Sequence, residues 1–590
     1  MEKEEYKKKI VDYQILKRLF SFILPYKGRF LLLVILIIIS ALLSPALPLM
    51  IQYTIDGPIQ AGNYQNLSLM VGSMVLLLVI TSLVAYYNTF ESGWLSSRII
   101  HDIRLKVFKK IIHLRLKYYD ETAIGKLVTR TISDVESLSD VFSSGFAAIA
   151  GDLMQIVLII GVMFYINWKL TLISLSTIPL MLISTYIFKE KVKKSFNLVR
   201  NAVANLNSFI QERISGMSLV QIFNVEDQEY RKFEALNSEH KKANIKSILY
   251  YSVYFPVADV IAALGVGLIV WYGARGIIGE EVTFGTITAF IMYINQFFRP
   301  IRMIADRVNT LQMGVVSLSR IIEILDDEEN LENGGTEKYP VEGSVKFENV
   351  WFAYNEPQWI LKDLSFEVKK GQSVAFVGAT GAGKTSIISL LNRLYPHQKG
   401  NIIIDGHKVE DFDLTYLRSQ IGVVLQEVFL FNGSIEENLR MGDMNLTLKE
   451  IMEVASDVGI HDFIMSLPGQ YQYNVMERGA TLSMGQRQLL SFVRVLLQKP
   501  KIIVLDEATS SIDSESEMLI QQTIEKIMKN QTAIIIAHRL STIQNADKII
   551  VLDKGEILES GNHQQLLEKQ GAYAHLYELQ FDNQSLKISD

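Results

Sequence analysis

Six stretches of this chain are too long and too apolar for the interior of an ordinary soluble domain: about Phe30–Tyr53, Leu67–Phe90, Val141–Ile166, Leu170–Phe188, Val253–Trp271 and Phe284–Phe298. Each approaches or exceeds the roughly 20 residues that an α-helix needs to cross a bilayer. Hydrocarbon offers no partner to a free peptide group, so runs of this kind are committed to spanning helices. The first exceeds the roughly 7 to 15 residues of a signal-peptide core and reads as a retained span. Composition agrees, with 49% of the 590 residues hydrophobic and a positive mean hydropathy of +0.19. The chain has no cysteine, which excludes disulfides, thiolate metal sites, iron–sulfur clusters and a cysteine nucleophile. Its 58 basic and 63 acidic residues offer no large electrostatic handle, so nucleic acid is not an expected partner.

The basic residues between the runs set the orientation. The connections 98–140 and 189–247 carry nine and eleven Lys or Arg residues, whereas the connections 54–66, 164–170 and 273–285 carry none, Lys169 and Arg275. The positive-inside rule puts the two basic loops, and both chain ends, in the cytoplasm. Helical patterns such as VFKKIIHLRLKYYD and LNSFIQERISGMSLVQIFNVE carry the helices beyond the bilayer. The residues around Pro256, Asp259, Arg299, Pro300, Arg302, Asp306 and Arg307 read as cytoplasmic helical extensions of the fifth and sixth runs. Before the first span, Ile15, Leu16, Leu19, Phe20 and Ile23 recur at helical spacing among basic residues, which predicts a helix lying on the membrane surface over 1–28. Two acids, Asp152 and Asp259, fall within or near apolar runs, where a carboxylate is costly; a cationic substrate or a proton is one partner, and water or a neighbouring Lys or Arg the other. Phe290, Met292, Tyr293, Phe297 and Phe298 form a stripe that fits either an adaptable binding surface or a packed core.

The composition changes near Asp326, where DDEENLENGG fits a linker over 326–342 that separates a membrane domain at 29–325 from a soluble domain at 343–580 and a short tail at 581–590. In the soluble part, short apolar runs alternate with helical patterns, which predicts an α/β domain with a largely parallel sheet. Its strongest motif is GATGAGKT, the P-loop run Gly378, Ala379, Thr380, Gly381, Ala382, Gly383, Lys384 and Thr385, followed by Ser386 and set between an apolar strand pattern and a helix pattern. Glycines let backbone amides approach phosphates, the helix N-terminus adds positive potential, Lys384 reaches the outer phosphates and Thr385 ligates Mg²⁺. A second element, IIVLDE, ends in Asp506 and Glu507, an aspartate placed to hold Mg²⁺ through water and a glutamate placed to polarise the attacking water.

Between these two elements lies TLSMGQRQLLSFVRVLL, and with LDEATSSID after it this pattern resembles the signature of ATP-binding cassette (ABC) transporters. The resemblance covers the whole soluble domain and agrees with the first half, so that the chain resembles an ABC exporter half-transporter. The expected fold is a polytopic α-helical membrane domain of six spans, exporter type, followed by an α/β P-loop NTPase domain of the ABC type. The resemblance implies that Tyr354 stacks on adenine and that Gln426 senses Mg²⁺ and the membrane domain. It likewise implies that Ser483, Gly485 and Gln486 of the signature meet ATP bound to the opposite subunit, that Ser511, Ile512 and Asp513 form the loop crossing to that subunit, and that His538 contacts the γ-phosphate. Tyr118, Tyr119, Asp120 and Gly125 fall where the family places its first coupling loop, and Ser215, Gly216 and Met217 near the second. The family sandwiches ATP between one subunit's P-loop and the other's signature, which makes a second half-transporter a required partner.

The family signature usually reads LSGGQ, but here Met484 replaces the middle glycine, and Met476 stands where the preceding loop commonly has glycine. The P-loop, Glu507 and His538 are intact. This asymmetry resembles one subunit of a heterodimeric bacterial multidrug exporter of the LmrCD or EfrCD type. The expected function is ATP-driven export of hydrophobic, cationic drugs across the plasma membrane. A lipid or glycolipid flippase and a homodimeric exporter are the alternatives, and an ATP-switched regulator that moves nothing is a rival that the intact Glu507 disfavours.

Overall fold

The computed structural model describes residues 13–279, 281–328, 334–506, 513–536 and 540–578. The chain divides into two compact units, one of residues 1–112 and 124–327, the other of residues 113–123 and 328–590.

The first unit is helical. A surface helix α1 (Tyr13–Ile23) buries Leu19 and Ile23 while Phe20 stays exposed, the one-sided burial its spacing predicts. The first apolar run is broken into α2 (Lys27–Leu43) and α3 (Ala46–Thr54) at Ser44–Pro45. Pro48, one turn into α3, has no N–H to return to the preceding turn. The carbonyl of Pro45, beside that gap, accepts from the Leu49 N–H at 3.4 Å and from the buried Tyr293 hydroxyl at 2.8 Å, which ties the break to a helix far along the chain. Next come α4 (Tyr64–Ile111), α5 (Leu116–Glu121, in the second unit), α6 (Ile124–Thr129), α7 (Val135–Asp140) and α8 (Phe146–Ile166). They are followed by α9 (Trp168–Leu175), α10 (Ile178–Ser215), α11 (Met217–Ile222), α12 (Glu226–Ile278) and α13 (Phe284–Leu325). Pro256 and Pro300 lie inside α12 and α13, which run on through them as the sequence predicts.

Among the described residues five helical stretches are long and apolar enough to cross a membrane: Lys17–Ile59, Tyr64–Ile111, Ile124–Ile166, Trp168–Ser215 and Glu226–Ile278. The sixth run lies on α13, which is long enough but less apolar because Asn295, Gln296 and Arg299 interrupt it. Its aromatic residues explain how it holds its place. Phe290, Tyr293, Phe297 and Phe298 are all buried, in one core with Phe188, Tyr254 and Ile261. A helix enclosed by other helices need not be apolar all round, and this stripe packs the bundle interior. On α12, a Cβ at Gly265 or Gly273 would fall within 2.6 Å of Ile294 or Ile287 on α13, so glycine is what lets these two helices approach.

The second unit carries two sheets. The smaller joins β1 (Val345–Phe352), β2 (Leu361–Val368), β4 (Lys399–Ile404) and β5 (His407–Lys408) in the order β2-β1-β4-β5, all antiparallel. The larger has the order β10-β9-β3-β8-β7-β6, built from β3 (Ser373–Val377), β6 (Ile421–Val424), β7 (Ile502–Asp506), β8 (Thr532–Ile536), β9 (Lys548–Asp553) and β10 (Glu556–Gly561). Its five central strands are parallel and β10 is antiparallel. All five residues of β3, β7 and β8 are buried, as expected of strands covered on both faces. Gly335 and Glu337 bridge to Asp413 and Phe412, so the end of the expected linker is paired to the soluble unit. The tail from residue 579 lies outside the described residues.

Candidate functional site

The parallel strands decide where the motifs meet. β3, β8, β7 and β6 are neighbours in that order, with Phe376 opposite Ile536, Ile536 opposite Asp506, and Leu505 opposite Val424. The P-loop follows β3 directly, Asp506 is the last residue of β7, and Gln426 comes two residues after β6. Three motif segments therefore emerge at the carboxyl edge of one sheet, where open parallel sheets bind ligands. Glu507, Ser511, Ile512 and His538 follow β7 and β8 in the chain but lie outside the described residues.

The loop from Gly378 to Gly383 leads into α14 (Lys384–Leu391). Gly378, Gly381 and Gly383 have φ of 149°, 87° and 100°, a region that favours glycine. A Cβ on Gly378 would stand 2.1 Å from the Leu552 carbonyl oxygen, and one on Gly383 2.6 Å from the Leu361 side chain, so the cradle admits no larger residue at either place. Lys384 is only 6% exposed, and its Nζ donates to the carbonyls of Gly378 at 2.7 Å and Ala379 at 3.0 Å. Burial pushes this ammonium below the usual lysine range, against the opposing pull of the buried Asp506 carboxylate. A buried cation clasped by two carbonyls inside a glycine loop suits a polyphosphate that neutralises it. Ala379, Thr380 and Thr385 are exposed around it, and Ala382 and Ser386 are buried behind it.

Tyr354 follows β1 and is 37% exposed. Its ring meets Phe352 and Tyr395 edge-on at 4.7 and 4.9 Å, and its hydroxyl lies 3.2 Å from that of Ser386. Gln398 fixes the adjoining backbone by accepting from the Ala353 N–H at 3.0 Å and donating to its carbonyl at 2.8 Å. Neither Gln398 nor Tyr395 carries a motif, and nothing in the sequence alone marks them.

For Mg²⁺ the fit is partial by design. Thr385 is exposed at the first turn of α14, Asp506 is buried at the strand end and Gln426 is exposed. No group of three or more His, Asp or Glu side chains that could hold a metal occurs among the described residues. Such a donor set matches an ion that shares its shell with nucleotide phosphates rather than sitting in an all-protein cage.

After α15 (Leu414–Gln420), α16 (Ile435–Leu439), α17 (Leu448–Val458) and α18 (His461–Ser466), the signature forms a helix start. α19 (Met484–Leu497) is capped by Ser483, whose hydroxyl accepts from the Gln486 N–H at 3.2 Å, while the Gln486 side chain accepts from the Ser483 N–H at 2.9 Å, a reciprocal capping box. Gly485 is buried, and Met484 points outward with 46% exposure. Arg487, another residue without a motif, anchors the loop before the helix by donating to the carbonyls of Gly479 and Leu482 at 3.2 and 3.1 Å. Asp513 caps α20 (Ser514–Asn530) through the Ser516 N–H at 2.9 Å, a bond that holds its carboxyl below the ordinary range. In the two internal basic stretches, α5 carries Tyr118, Tyr119 and Asp120, Gly125 is the second residue of α6, and Gly216 separates Ser215 at the end of α10 from Met217 at the start of α11.

A P-loop between β3 and α14, a strand-end aspartate beside it and a capped LSxGQ helix on one α/β unit define an ATP-binding cassette. Family comparison agrees: the model for the ABC transporter transmembrane region matches residues 30–301 and that for the ABC transporter domain matches 361–510. The chain belongs to the ABC transporter family, and it is an ATP-binding, ATP-hydrolysing membrane transporter with an exporter-type membrane domain. It is 35% identical over 575 residues to YgaD of Bacillus subtilis, named as a candidate multidrug export ATP-binding/permease protein, covering 96% of this chain and 99% of that one. It is 36% identical over 574 residues to the uncharacterized ABC transporter ATP-binding protein YknV of the same organism, covering 96% and 94%. A solved bacterial Atm1-family ABC exporter with ATP bound superposes with a TM-score of 0.78 at 26% identity, over 94% of this chain and 98% of that one.

Proposed function

We propose that this chain is one subunit of a heterodimeric exporter in the bacterial plasma membrane, with both chain ends in the cytoplasm, that moves hydrophobic, cationic drugs outward by alternating access. The observation that carries this reading is a contrast within the soluble unit. The phosphate cradle around Lys384 is complete, whereas the signature helix opens with an exposed methionine where the family has glycine. This P-loop then works against the partner's intact signature, and Met484 faces a weakly hydrolysing second site. The multidrug-export name of YgaD supports the choice of cargo.

At the competent site Lys384 and the loop amides hold the phosphates, Tyr354 takes the adenine, Glu507 polarises water and His538 contacts the γ-phosphate. Mg²⁺ neutralises charge on the outer phosphates, and Thr385, Asp506 and Gln426 are the residues that would hold it. Phosphoryl transfer asks chiefly for this positioning and electrostatic stabilisation. The test is ATP-dependent dye uptake into inverted membrane vesicles containing this chain and its co-purified partner. Uptake that disappears in Glu507→Gln, with ATP retained on the protein, is the expected result. Unchanged steady-state hydrolysis in that variant, or stimulation by lipids with indifference to drugs, contradicts the assignment.

A further inference from the structure

The membrane unit holds a cavity of about 420 Å³ between α2, α4, α8 and Ser143 in the segment that leads into α8. Its wall is partly apolar, from Ile37, Ala41 and Ala148, but it also presents Ser40, Asn88, Thr89, Ser92, Asp152 and Gln155. Ser40 lies ten residues into the first apolar run, about 15 Å along a helix, while Asn88 and Thr89 lie at the cytoplasmic end of the second run and Ser143 at that of the third, so on the proposed topology the cavity occupies the cytoplasmic half of the bilayer. Polar groups at that depth are costly unless structure or function uses them.

Structure uses some of them. The Ser92 hydroxyl donates to the Ser143 carbonyl at 2.8 Å and that of Ser96 to the Ser139 carbonyl at 3.0 Å, next to the π-helical stretch Val141–Gly145. These bonds tie α4 to the third span. The side chains of Ser40, Asn88, Thr89 and Gln155, by contrast, make no hydrogen bond among the described residues. Among the described residues Asp152 is the only charged one in the cavity wall; its carboxylate pairs with Arg307 of α13 at 2.9 Å and also feels the charge of the more exposed Arg299 on the same helix.

We propose that this cavity is a binding site for an amphiphilic organic cation, and that Asp152 exchanges Arg307 for the cationic group of the ligand. The volume suits a drug-sized molecule. The exposed amides and hydroxyls take its polar groups, the apolar wall takes its rings, and the carboxylate supplies the counter-charge. Each bound cation displaces an arginine carried by the helix that continues from the sixth span, so occupancy of the site is registered on α13. The proposal deepens the exporter reading and rests on it for the direction of transport alone, because binding is measurable without ATP.

Ethidium is the cationic probe and Nile red the uncharged one, each titrated by fluorescence anisotropy against the assembled, nucleotide-free transporter in nanodiscs. Asp152→Asn is expected to weaken ethidium at least about tenfold and leave Nile red in place. Arg307→Gln, which removes the competitor, is expected to tighten ethidium several-fold. The double variant Asp152→Asn/Arg307→Gln removes both charges of the pair, so it keeps the test informative if a single variant misfolds; it is expected to remain blind to ethidium. A shift in the same direction for both single variants, or equal loss of both dyes, makes the pair purely structural and overturns the site. Vesicles that bind ethidium as expected but transport neither dye contradict the exporter reading instead.

Discussion

Met476 and Met484 depart from the same glycine-rich pattern, yet the backbone treats them differently. Met484 is the first residue of α19 and adopts ordinary helical angles, so nothing local demands glycine there. Any demand must come from what docks on the helix start, which is the contact the family makes across subunits. Met476 has φ 58° and ψ −176°, a region essentially reserved for glycine, and its side chain is 53% exposed. Strain of this kind costs on the order of 1–3 kcal/mol, offset in part by the extra unfolded-state freedom of a glycine. Met476→Gly should therefore stabilise the soluble unit by about 1 kcal/mol, read as a rise in the first transition of a thermal melt; a fall would show that the methionine side chain contributes packing. The two positions look alike in sequence, and only the dihedral angles separate a strained residue from an unstrained one. Motif residues were legible for the opposite reason. Lys384 and the glycines around it are dictated by phosphate chemistry at short spacing, whereas Tyr293 and Gln398 serve backbone carbonyls far away in the chain and Arg487 serves two in the loop just before its helix, tasks open to many residue types.

Between β4 and β5 the chain reverses through Asp405 and Gly406, both at positive φ, with Ile404 opposite His407. Asp-Gly at these angles is the type I′ hairpin turn that matches strand twist. Although burial opposes it, backbone N–H bonds from Gly343 and Ser344 at 2.9 Å and Glu342 at 2.7 Å hold the Asp405 carboxyl below the ordinary range. The turn thus pins the segment that enters β1, the strand that leads to Tyr354. Asp405→Asn keeps the turn but loses charge-assisted bonds and should cost about 1–3 kcal/mol at neutral pH. A depressed carboxylate contributes its stability above the unfolded value of 3.8 and loses it as pH falls through the folded value. The melting difference between wild type and variant should accordingly persist at pH 7 and shrink below about pH 4; a difference that stays constant over that range would remove the carboxylate from the account. Element by element, the long helices and buried strands were readable from apolar runs. The break at Ser44–Pro45 and the polar sixth helix were less so, because both depend on neighbours: Tyr293 bonds the Pro45 carbonyl at the break, and other helices enclose the sixth.

At the scale of the molecule, a membrane unit and an ATP-binding unit share one chain, but this chain supplies one P-loop and one signature. In the proposed heterodimer the P-loop is catalytic and the signature impaired, so the competent site needs the signature of a different partner chain. The most direct test is steady-state ATPase activity of the chain purified alone in nanodiscs, compared with the chain co-purified with its partner half-transporter. Low, non-cooperative turnover is expected of the chain alone, with a rise of at least about tenfold with the partner, an effect worth about 1.4 kcal/mol or more in the barrier. Robust, cooperative turnover by the single chain would contradict it.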